Sequence, residues 1–408
     1  MHNIIFFLIL IIPVTDFIIE RYLDYLNSLM WSDSLPEKLK GICEDEEYRK
    51  TQLYQKDNNR LSFWSSTFNL VVILVMIIAG GFAIVDNLAR TFSTNIVVIS
   101  LVFFGIIGFV SDIINIPFGC YDTFVIEKKY GFNNMTVRTF ITDHIKSWFI
   151  ALLIGVPVLG LITWFYYKTG KNFWLYAWGL ITLFSVFINF FYSELIVPLF
   201  NKQIPLPEGS LRSLIEAFSQ KNGFILKNIF IIDGSKRSTK ANAYFSGFGT
   251  KKRIVLYDTL LKEFSEEEIV AVLAHEIGHY KKKHVLLNLF FSVFVTGIML
   301  FLLSVVVTSP LLSPALGSQK ASFHLGLIVF AILYSPMSLL IGLLTNWVSR
   351  KNEFAADRFV REKFKPEILA AALKKLSVKN LSNMMPHPAY VFFHYSHPPL
   401  LRRLEKLE

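Results

Sequence analysis

Cysteine is scarce in this chain of 408 residues, which contains Cys43 and Cys120 and no others. Two thiols cannot form the dense disulfide framework of a small secreted domain. They also exclude a zinc-finger type of metal site, which depends on several cysteine ligands. A metal site in this protein therefore needs histidine and carboxylate ligands.

Charged residues are also few, at 18% of the chain, whereas 53% of the residues are hydrophobic and 39 are Phe. Soluble domains of this size are rarely so apolar, and the mean hydropathy is +0.46. The apolar residues are grouped in long runs, which indicates a protein that crosses a membrane several times. For the formal net charge of +10, basic residues retained on the cytoplasmic side are a better explanation than nucleic-acid binding.

Seven apolar runs are long enough, or nearly so, to cross a bilayer. We interpret the first run as a membrane helix and not as a signal peptide, because it has almost no basic leader and no clear cleavage site. The predicted spans cover residues 3–19, 68–85, 96–116, 148–167, 173–200, 285–308 and 325–348.

These spans divide the chain into four regions of a mainly α-helical, multi-pass membrane protein. The regions are 1–200 with helices one to five and their loops, 201–284 as a soluble segment, 285–348 with helices six and seven, and 349–408 as a tail. Only four of the 41 lysines and arginines, Arg90, Lys168, Lys171 and Lys320, lie on the side opposite the tail. The positive-inside rule therefore predicts that the tail and the soluble segment are cytoplasmic.

The soluble segment ends with the motif His-Glu-x-x-His, formed by His275, Glu276 and His279. On a helix, the two histidines share one face, about 6 Å apart along the axis. Both imidazoles can reach one zinc ion, with the glutamate beside them as a candidate general base. Ser265 and Glu268 before the motif predict a capping box that begins this helix.

A catalytic zinc site needs a third protein ligand and an open position. Glu353 and Asp357, in the run KNEFAADRF, are the candidate third ligand and a candidate hydrogen-bond partner of a ligand. Two predicted spans separate the histidines from Glu353, so the chain returns to the same membrane face. We therefore predict one zinc ion per chain, near the cytoplasmic surface.

Three predicted strands lie in the soluble segment, at 228–232, 242–248 and 253–258, after a helical pattern at 211–218. Residues 249–252 would turn between the last two strands. Such a hairpin beside a zinc helix can hold an extended peptide along its edge. Asn242, Ala243 and Tyr244 are the candidate substrate-binding residues. An ordinary structural hairpin fits the pattern equally well.

The tail carries helical patterns at 350–363 and 366–376 and ends with two further candidate site residues, His394 and His397. Tail histidines are more often surface residues than ligands. Within the predicted spans, Asp112 and Glu194 indicate either a hydrated interior or pairing with another side chain. The asparagines there favour hydrogen bonds between helices; they are Asn115, Asn189, Asn288 and Asn346.

Seven segments of the chain resemble those of the type 1 CAAX prenyl proteases, which are integral-membrane zinc endopeptidases. They appear in the family's order and extend over nearly the whole chain. The segments are 124–132 (FVIEKKYGF), 198–209, 238–245, 252–259, 275–279 (HEIGH), 352–357 and 396–400 (SHPPL).

The resemblance implies seven tilted helices around a large hydrated chamber, with zinc near its cytoplasmic end. It also implies roles for individual residues. His275, His279 and Glu353 would be zinc ligands, Glu276 the base, Asp357 a carboxylate holding a ligand imidazole, Asn242 a substrate-facing residue, His397 a histidine beside the metal, and Arg403 a structural residue.

The expected activity is hydrolysis of peptide bonds, on prenylated CAAX proteins in a eukaryote or in membrane-protein processing or quality control in a bacterium. The residues 405–408 carry no retrieval signal, which favours a bacterial inner membrane over the endoplasmic reticulum. The expected partners are a peptide or protein substrate and the lipid bilayer, without nucleic acid. The alternative is a zinc-binding transporter or receptor without proteolysis. The candidate ligands count against it, because they flank the spans instead of lying at mid-bilayer.

Overall fold

The computed structural model describes residues 2–32, 34–224, 228–246 and 253–407. Its helices are α1 (His2–Ser28), α2 (Asp45–Ile78), α3 (Gly81–Phe92), α4 (Ile96–Tyr121), α5 (Val137–Thr169), α6 (Phe173–Leu195), α7 (Val197–Phe200), α8 (Ser210–Lys221), α9 (Asp258–Glu263), α10 (Glu266–Lys281), α11 (His284–Val306), α12 (Leu312–Ala315), α13 (Phe323–Lys363), α14 (Pro366–Lys379), α15 (Pro388–His394) and α16 (Leu400–Leu407). The strands are β1 (Gln203–Pro205), β2 (Asn228–Ile232), β3 (Ala243–Ser246) and β4 (Arg253–Tyr257). A π-helical turn, Asp122–Glu127, continues α4.

The chain is a multi-pass integral membrane protein. In the part that the structure describes, five helical segments are long and apolar enough to cross a bilayer. One of them, Val137–Phe200, is 64 residues long and contains α5 and α6, which pack against each other on either side of the turn Gly170–Asn172. The segments are Asp45–Ile78, Ile96–Glu127, Val137–Phe200, His284–Val306 and Phe323–Lys363.

The predicted end of the second span, 68–85, is wrong. The helix α2 stops at Ile78 and begins much earlier, at Asp45, because Glu44 and Glu47 form a capping box there. After it, Gly80 adopts a left-handed backbone conformation with φ of +67°, which glycine accepts without steric cost. The chain therefore turns at Gly80 and continues as the separate helix α3.

The predicted span 325–348 and the predicted tail helix 350–363 form one continuous helix, α13, of 41 residues. The helix continues because no glycine or proline lies between Val348 and Arg350. Glu353 and Asp357 therefore stand on a direct extension of a membrane helix.

The described strands form one sheet in the order β1-β2-β4-β3. The predicted strand 228–232 is confirmed as β2, and the predicted hairpin is confirmed as the antiparallel pair β3 and β4. The predicted turn 249–252 lies outside the described residues. The sheet is larger than the predicted hairpin, because β2 pairs in parallel with β4 and the short strand β1 adds to β2. Among the described strands, β3 lies at one edge.

Small residues let α10 approach α13 very closely. A Cβ atom added at Gly278 would lie 3.2 Å from both the Cα and the carbonyl oxygen of Ala356. Ala271 and Ala274 on α10 are fully buried. Larger side chains here would force the helices apart, and the histidines would then move away from Glu353.

The polar side chains inside the spans form pairs. Asp112 accepts a hydrogen bond of 2.7 Å from Nε1 of Trp148, and Glu194 forms an ion pair with Arg253 of β4. For both carboxylates the structure supports pairing, the second of the two sequence-based interpretations. Two of the asparagines bond between helices, as predicted: Asn115 with Asn69 of α2 at 3.0 Å, and Asn346 with the carbonyl of Phe393 of α15 at 2.6 Å. Asn189 instead donates to the carbonyl of Ser185 on its own helix, α6, at 2.9 Å.

Candidate metal centre and active site

The helix α10 presents the motif His-Glu-x-x-His and begins at the predicted capping box. The hydroxyl of Ser265 accepts a hydrogen bond from the backbone N–H of Glu268 at 3.3 Å. The Glu268 carboxylate accepts one from the backbone N–H of Ser265 at 2.8 Å. Two of the unpaired N–H groups at the helix start are thereby satisfied. The predicted capping box is confirmed.

Three side chains from two helices converge at one point. Nε2 of His275 lies 3.1 Å from Nε2 of His279. Glu353 places one carboxylate oxygen 3.3 Å from Nε2 of His275 and the other 3.2 Å from Nε2 of His279. Ligands around a tetrahedral zinc ion with bonds of about 2.0–2.1 Å are about 3.3 Å apart. The spacing therefore fits a single ion.

The Glu353 carboxylate is buried and surrounded by nitrogen atoms. Its Oε2 lies 3.3 Å from Nε2 of His275, 3.0 Å from Nδ1 of His397 and 3.6 Å from the guanidinium of Arg403. The imidazole nitrogens of His275 and His279 that face this carboxylate can act as ligands when they carry no proton. Two imidazoles and a carboxylate form a donor set that suits zinc. The residues present therefore fit the metal that the sequence predicts.

Asp357 and Arg403 hold His275 in place. Nδ1 of His275 donates to Oδ1 of Asp357 at 2.9 Å. The guanidinium of Arg403 donates to both oxygens of the same carboxylate, at 2.9 and 2.6 Å. With Nδ1 protonated, the lone pair of Nε2 points to the convergence point. Arg403 joins the site from α16, far along the chain, so its contact could not be read from spacing.

The site has an anionic character that favours a cation. Burial and the charge of Arg403 lower the pKa of His275, but the Asp357 and Glu353 carboxylates raise it to about 9. The imidazole therefore retains a proton strongly when no metal competes for it. A divalent cation binding at Nε2 would meet the same carboxylates.

His284 supports the second histidine and was not predicted. Its Nδ1 lies 3.0 Å from Nδ1 of His279, so one ring donates to the other. The contact depends on Lys283, which has a left-handed φ of +60° between α10 and α11. This turn folds His284 back onto the last turn of α10. The sequence signal was present, since His284 lies five residues after His279, but the fold-back was not readable.

A cavity of about 540 Å³ opens beside the three converging side chains. Glu276 and His397 line it, and so do Asn242 and Ala243 at the start of β3. Nδ1 of His397 lies 3.0 Å from Oε2 of Glu353, and 68% of the His397 side chain is exposed. Opposite them the cavity has an apolar wall from α14 and the following loop, formed by Leu369, Leu373, Leu376 and Met384.

Two other candidates lie apart from this cavity. The side chain of Tyr244 lines a separate cavity behind β3, together with Tyr192 and Tyr257. His394 lies 3.4 Å from the Glu20 carboxylate of α1. Of the sequence-predicted site residues, the structure therefore brings together all except these two side chains.

Comparison with known proteins identifies the family. Residues 25–202 match the family model "CAAX prenyl protease N-terminal, five membrane helices", and residues 205–408 match "Peptidase family M48". The chain belongs to the M48 peptidase family. It is a metalloendopeptidase of the CAAX prenyl protease 1 type, and the family expected from the sequence is confirmed. These matches give no support to the alternative of a zinc transporter or receptor.

The similarity to individual members extends over almost the full length. The CAAX prenyl protease 1 homolog of Oryza sativa is 35% identical, over 98% of this chain and 96% of the relative. CAAX prenyl protease 1 of Saccharomyces cerevisiae is 33% identical, over 97% and 95%. The crystal structure of S. mikatae Ste24p superposes with a TM-score of 0.94 at 33% identity and covers 99% of both chains.

Proposed function

We propose that the chain hydrolyses peptide bonds near the carboxyl terminus of prenylated CAAX substrates, using one zinc ion held by His275, His279 and Glu353. The observation that carries this proposal is the convergence of three ligand atoms within 4.8 Å of one another, beside a cavity lined by Glu276. The substrate class follows the names of the relatives, CAAX prenyl protease 1.

Glu276 is the proposed general base. Zinc would supply Lewis acidity, which lowers the pKa of a water molecule toward neutrality and polarises a carbonyl group. Glu276 follows His275 directly and lines the same cavity. Its carboxylate accepts the proton of the attacking water and returns it to the leaving amine. These transfers need a carboxylate that faces the cavity and is not itself a ligand.

His397 is the proposed donor to the oxyanion. Its ring lies beside Glu353 and is largely open to the cavity. A donor fixed there stabilises the negative oxygen of the tetrahedral intermediate. The backbone that leads to His397 is fixed to α13, because Arg350 donates to the carbonyls of Val391 and Tyr395 at 3.1 and 2.5 Å. Asp357 acts on the other side of the site by holding His275 in one tautomer.

The substrate backbone is proposed to pair with the edge strand β3. Asn242 and Ala243 face the cavity, and Tyr244 would contribute its main chain. The Asn242 side-chain oxygen accepts the backbone N–H of Ala243 at 2.8 Å, which leaves its amide N–H groups to bind a substrate carbonyl. An extended peptide added to this edge gains main-chain hydrogen bonds, and the apolar wall receives its side chains.

We further propose seven membrane crossings around a hydrated chamber, with the site at the cytoplasmic face. The crossings would be α1, α2, α4, α5, α6, α11 and α13, since α1 packs against α2 and α13. Arg90, one of the four basic residues on the side opposite the tail, donates a hydrogen bond to Ser322, directly before the start of α13. Glu353 lies near the other end of α13 and hence on the side with most of the basic residues. By the positive-inside rule, that side is the cytoplasmic one in this proposal.

The decisive experiment compares the wild type with Glu276→Gln. Purified Glu276→Gln should still contain one zinc ion per chain and should cleave a farnesylated CAAX peptide about 10²–10⁴-fold more slowly. Chelation of the wild type should abolish cleavage, and added zinc should restore it. Undiminished cleavage by purified Glu276→Gln would refute the assigned base. Equal cleavage of the peptide without the farnesyl group would refute the proposed substrate class.

A further inference from the structure

A charged cluster outside the catalytic cavity lies two residues before Asn242. The Lys240 ammonium donates to the hydroxyl of Tyr54 at 2.9 Å and to the Glu127 carboxylate at 3.0 Å. The Tyr54 hydroxyl donates to the same carboxylate at 2.5 Å. The ammonium also lies 4.5 Å from the ring centre of Phe132. We call Lys240, Glu127, Tyr54 and Phe132 the Lys240 cluster.

The Lys240 cluster joins distant parts of the chain. Tyr54 belongs to α2, and Glu127 ends the π-helical turn after α4. Burial alone would lower the pKa of Lys240, but the hydrogen bonds with Tyr54 and Glu127 outweigh it and raise the pKa above its usual value. The ammonium therefore stays charged. A half-buried charge with directed partners fixes its main chain more firmly than an exposed ion pair does. Membrane helices thereby hold the segment that leads into β3.

The backbone around Lys240 is anchored on both sides. Before it, Thr239 donates its N–H to the carbonyl of Phe132 at 3.0 Å and its hydroxyl to the carbonyl of Gly131 at 2.9 Å. The carbonyl of Lys240 accepts the hydroxyl of Thr259 at 2.9 Å. After it, the carbonyl of Asn242 accepts the N–H of Tyr257 at 3.1 Å. Asn242 therefore follows a segment with few free torsions.

We infer that Lys240, Glu127 and Tyr54 are positioning residues, which hold Asn242 and the edge of β3 at the place where the substrate peptide pairs. The inference rests on the proposed function and adds to it. None of the three side chains lines the catalytic cavity, and the candidate zinc ligands stand on α10 and α13. Loss of the cluster should therefore weaken substrate binding and leave the metal and the chemical step in place.

The test is Lys240→Met in the full-length, zinc-loaded protein. We expect KM for the farnesylated peptide to rise about tenfold while kcat changes less than about twofold, the signature of lost uniform binding. Zinc content should stay at one ion per chain. Lys240→Arg, which keeps the charge, should recover most of the KM. In a Glu276→Gln background, the Kd for the uncleaved peptide should rise by a factor similar to that for KM.

The chain offers a closely matched control in Lys375. Lys375 pairs with Glu268 at 3.1 Å, with side-chain exposures of 35% and 16%, against 34% and 17% for Lys240 and Glu127. Its ammonium also lies over a phenylalanine ring, 4.7 Å from the centre of Phe264. Lys375→Met removes the same chemistry away from β3. It should leave KM within about twofold of the wild type.

The outcomes separate the inference from the proposed function. An unchanged KM in Lys240→Met, or an equal rise in Lys375→Met, overturns the inference. Loss of zinc or of kcat in Lys240→Met overturns it too, because the cluster would then support the whole site. Should Lys240→Met fail to fold, Tyr54→Phe removes one hydroxyl and should raise KM about threefold; no rise in that variant overturns the inference. The proposed function is tested separately, by whether the wild type cleaves the farnesylated peptide and prefers it to the peptide without the farnesyl group.

Discussion

A histidine–aspartate pair lies near each end of α13, but the surroundings of the two histidines differ. Near its start, His324 is buried with Nε2 2.7 Å from Asp86 and Nδ1 3.0 Å from the hydroxyl of Ser100. Near its other end, Asp357 holds Nδ1 of His275. His324 and Asp357 are 33 positions apart on α13, or roughly 50 Å of helix. Both histidines are less than a tenth exposed.

The difference lies in the second ring nitrogen. His324 has a protein partner on each nitrogen and is 1% exposed. On His275, Asp357 holds Nδ1, whereas Nε2 faces two other potential metal ligands, an imidazole and a carboxylate, beside a cavity. A buried histidine–aspartate pair is therefore a structural element when both nitrogens are satisfied. It becomes a candidate metal site when one nitrogen is left for a ligand.

The largest expected effect is a loss of activity on mutation at the Glu353 end of α13 and not at the His324 end. Glu353→Ala should lose zinc and with it several kcal/mol of transition-state stabilisation, which is at least about 10³-fold in kcat/KM. The control, His324→Ala, should retain its activity per folded molecule. Zinc analysis and peptide cleavage on the purified variants measure both. Stoichiometric zinc in Glu353→Ala would contradict the assigned ligand.

The next largest expected effect is a loss of stability at the His324 end of α13, with the metal centre retained. Asp86→Ala leaves His324 and Arg90 without the buried carboxylate that both contact. Removal of one partner from a buried ion pair typically costs about 3–5 kcal/mol. Tm should fall substantially, while zinc content and kcat of the folded fraction stay near those of the wild type. A loss of zinc without a loss of Tm would show that the two ends are not separate.

A smaller effect tests the support of His275. Arg403→Met removes both hydrogen bonds from Arg403 to Asp357 and should weaken zinc affinity about 10–100-fold. Competition with a chelator of known affinity measures it. The neighbouring Arg402 pairs with exposed Glu405 at 3.2 Å, so Arg402→Met is the matched control and should have no effect. Equal affinity in the two variants would refute the role of Arg403.

The smallest effect tests the support of His279. His284→Ala removes the ring that contacts Nδ1 of His279 and should weaken zinc affinity about tenfold. His394→Ala, which removes a tail histidine outside the cavity, is the control and should bind zinc like the wild type. The same chelator competition applies. If His284→Ala binds zinc normally, His279 does not need this partner.

The sequence predicted those parts of the fold that depend on local patterns. The capping box of Ser265 and Glu268 and the hairpin are confirmed in the structure, because each is formed by neighbours in the chain. The strand 228–232 is also confirmed, since its run of β-branched and aromatic residues favours a strand, although its partners lie farther away in sequence. Long apolar runs identified the membrane segments. The errors are equally local, since a single left-handed glycine, Gly80, ends α2 earlier than the apolar run does.

Composition and motif spacing were enough to indicate a polytopic membrane metallopeptidase and to name the three side chains of its candidate metal centre. The four-residue spacing of His275 and His279 can be read from the sequence. So can the two apolar runs that separate them from Glu353. The tertiary structure alone places Arg403 against Asp357, packs Gly278 against Ala356 and anchors Lys240 to two membrane segments. Each of these contacts joins residues distant in sequence, and its geometry depends on how whole helices pack, which no local pattern records.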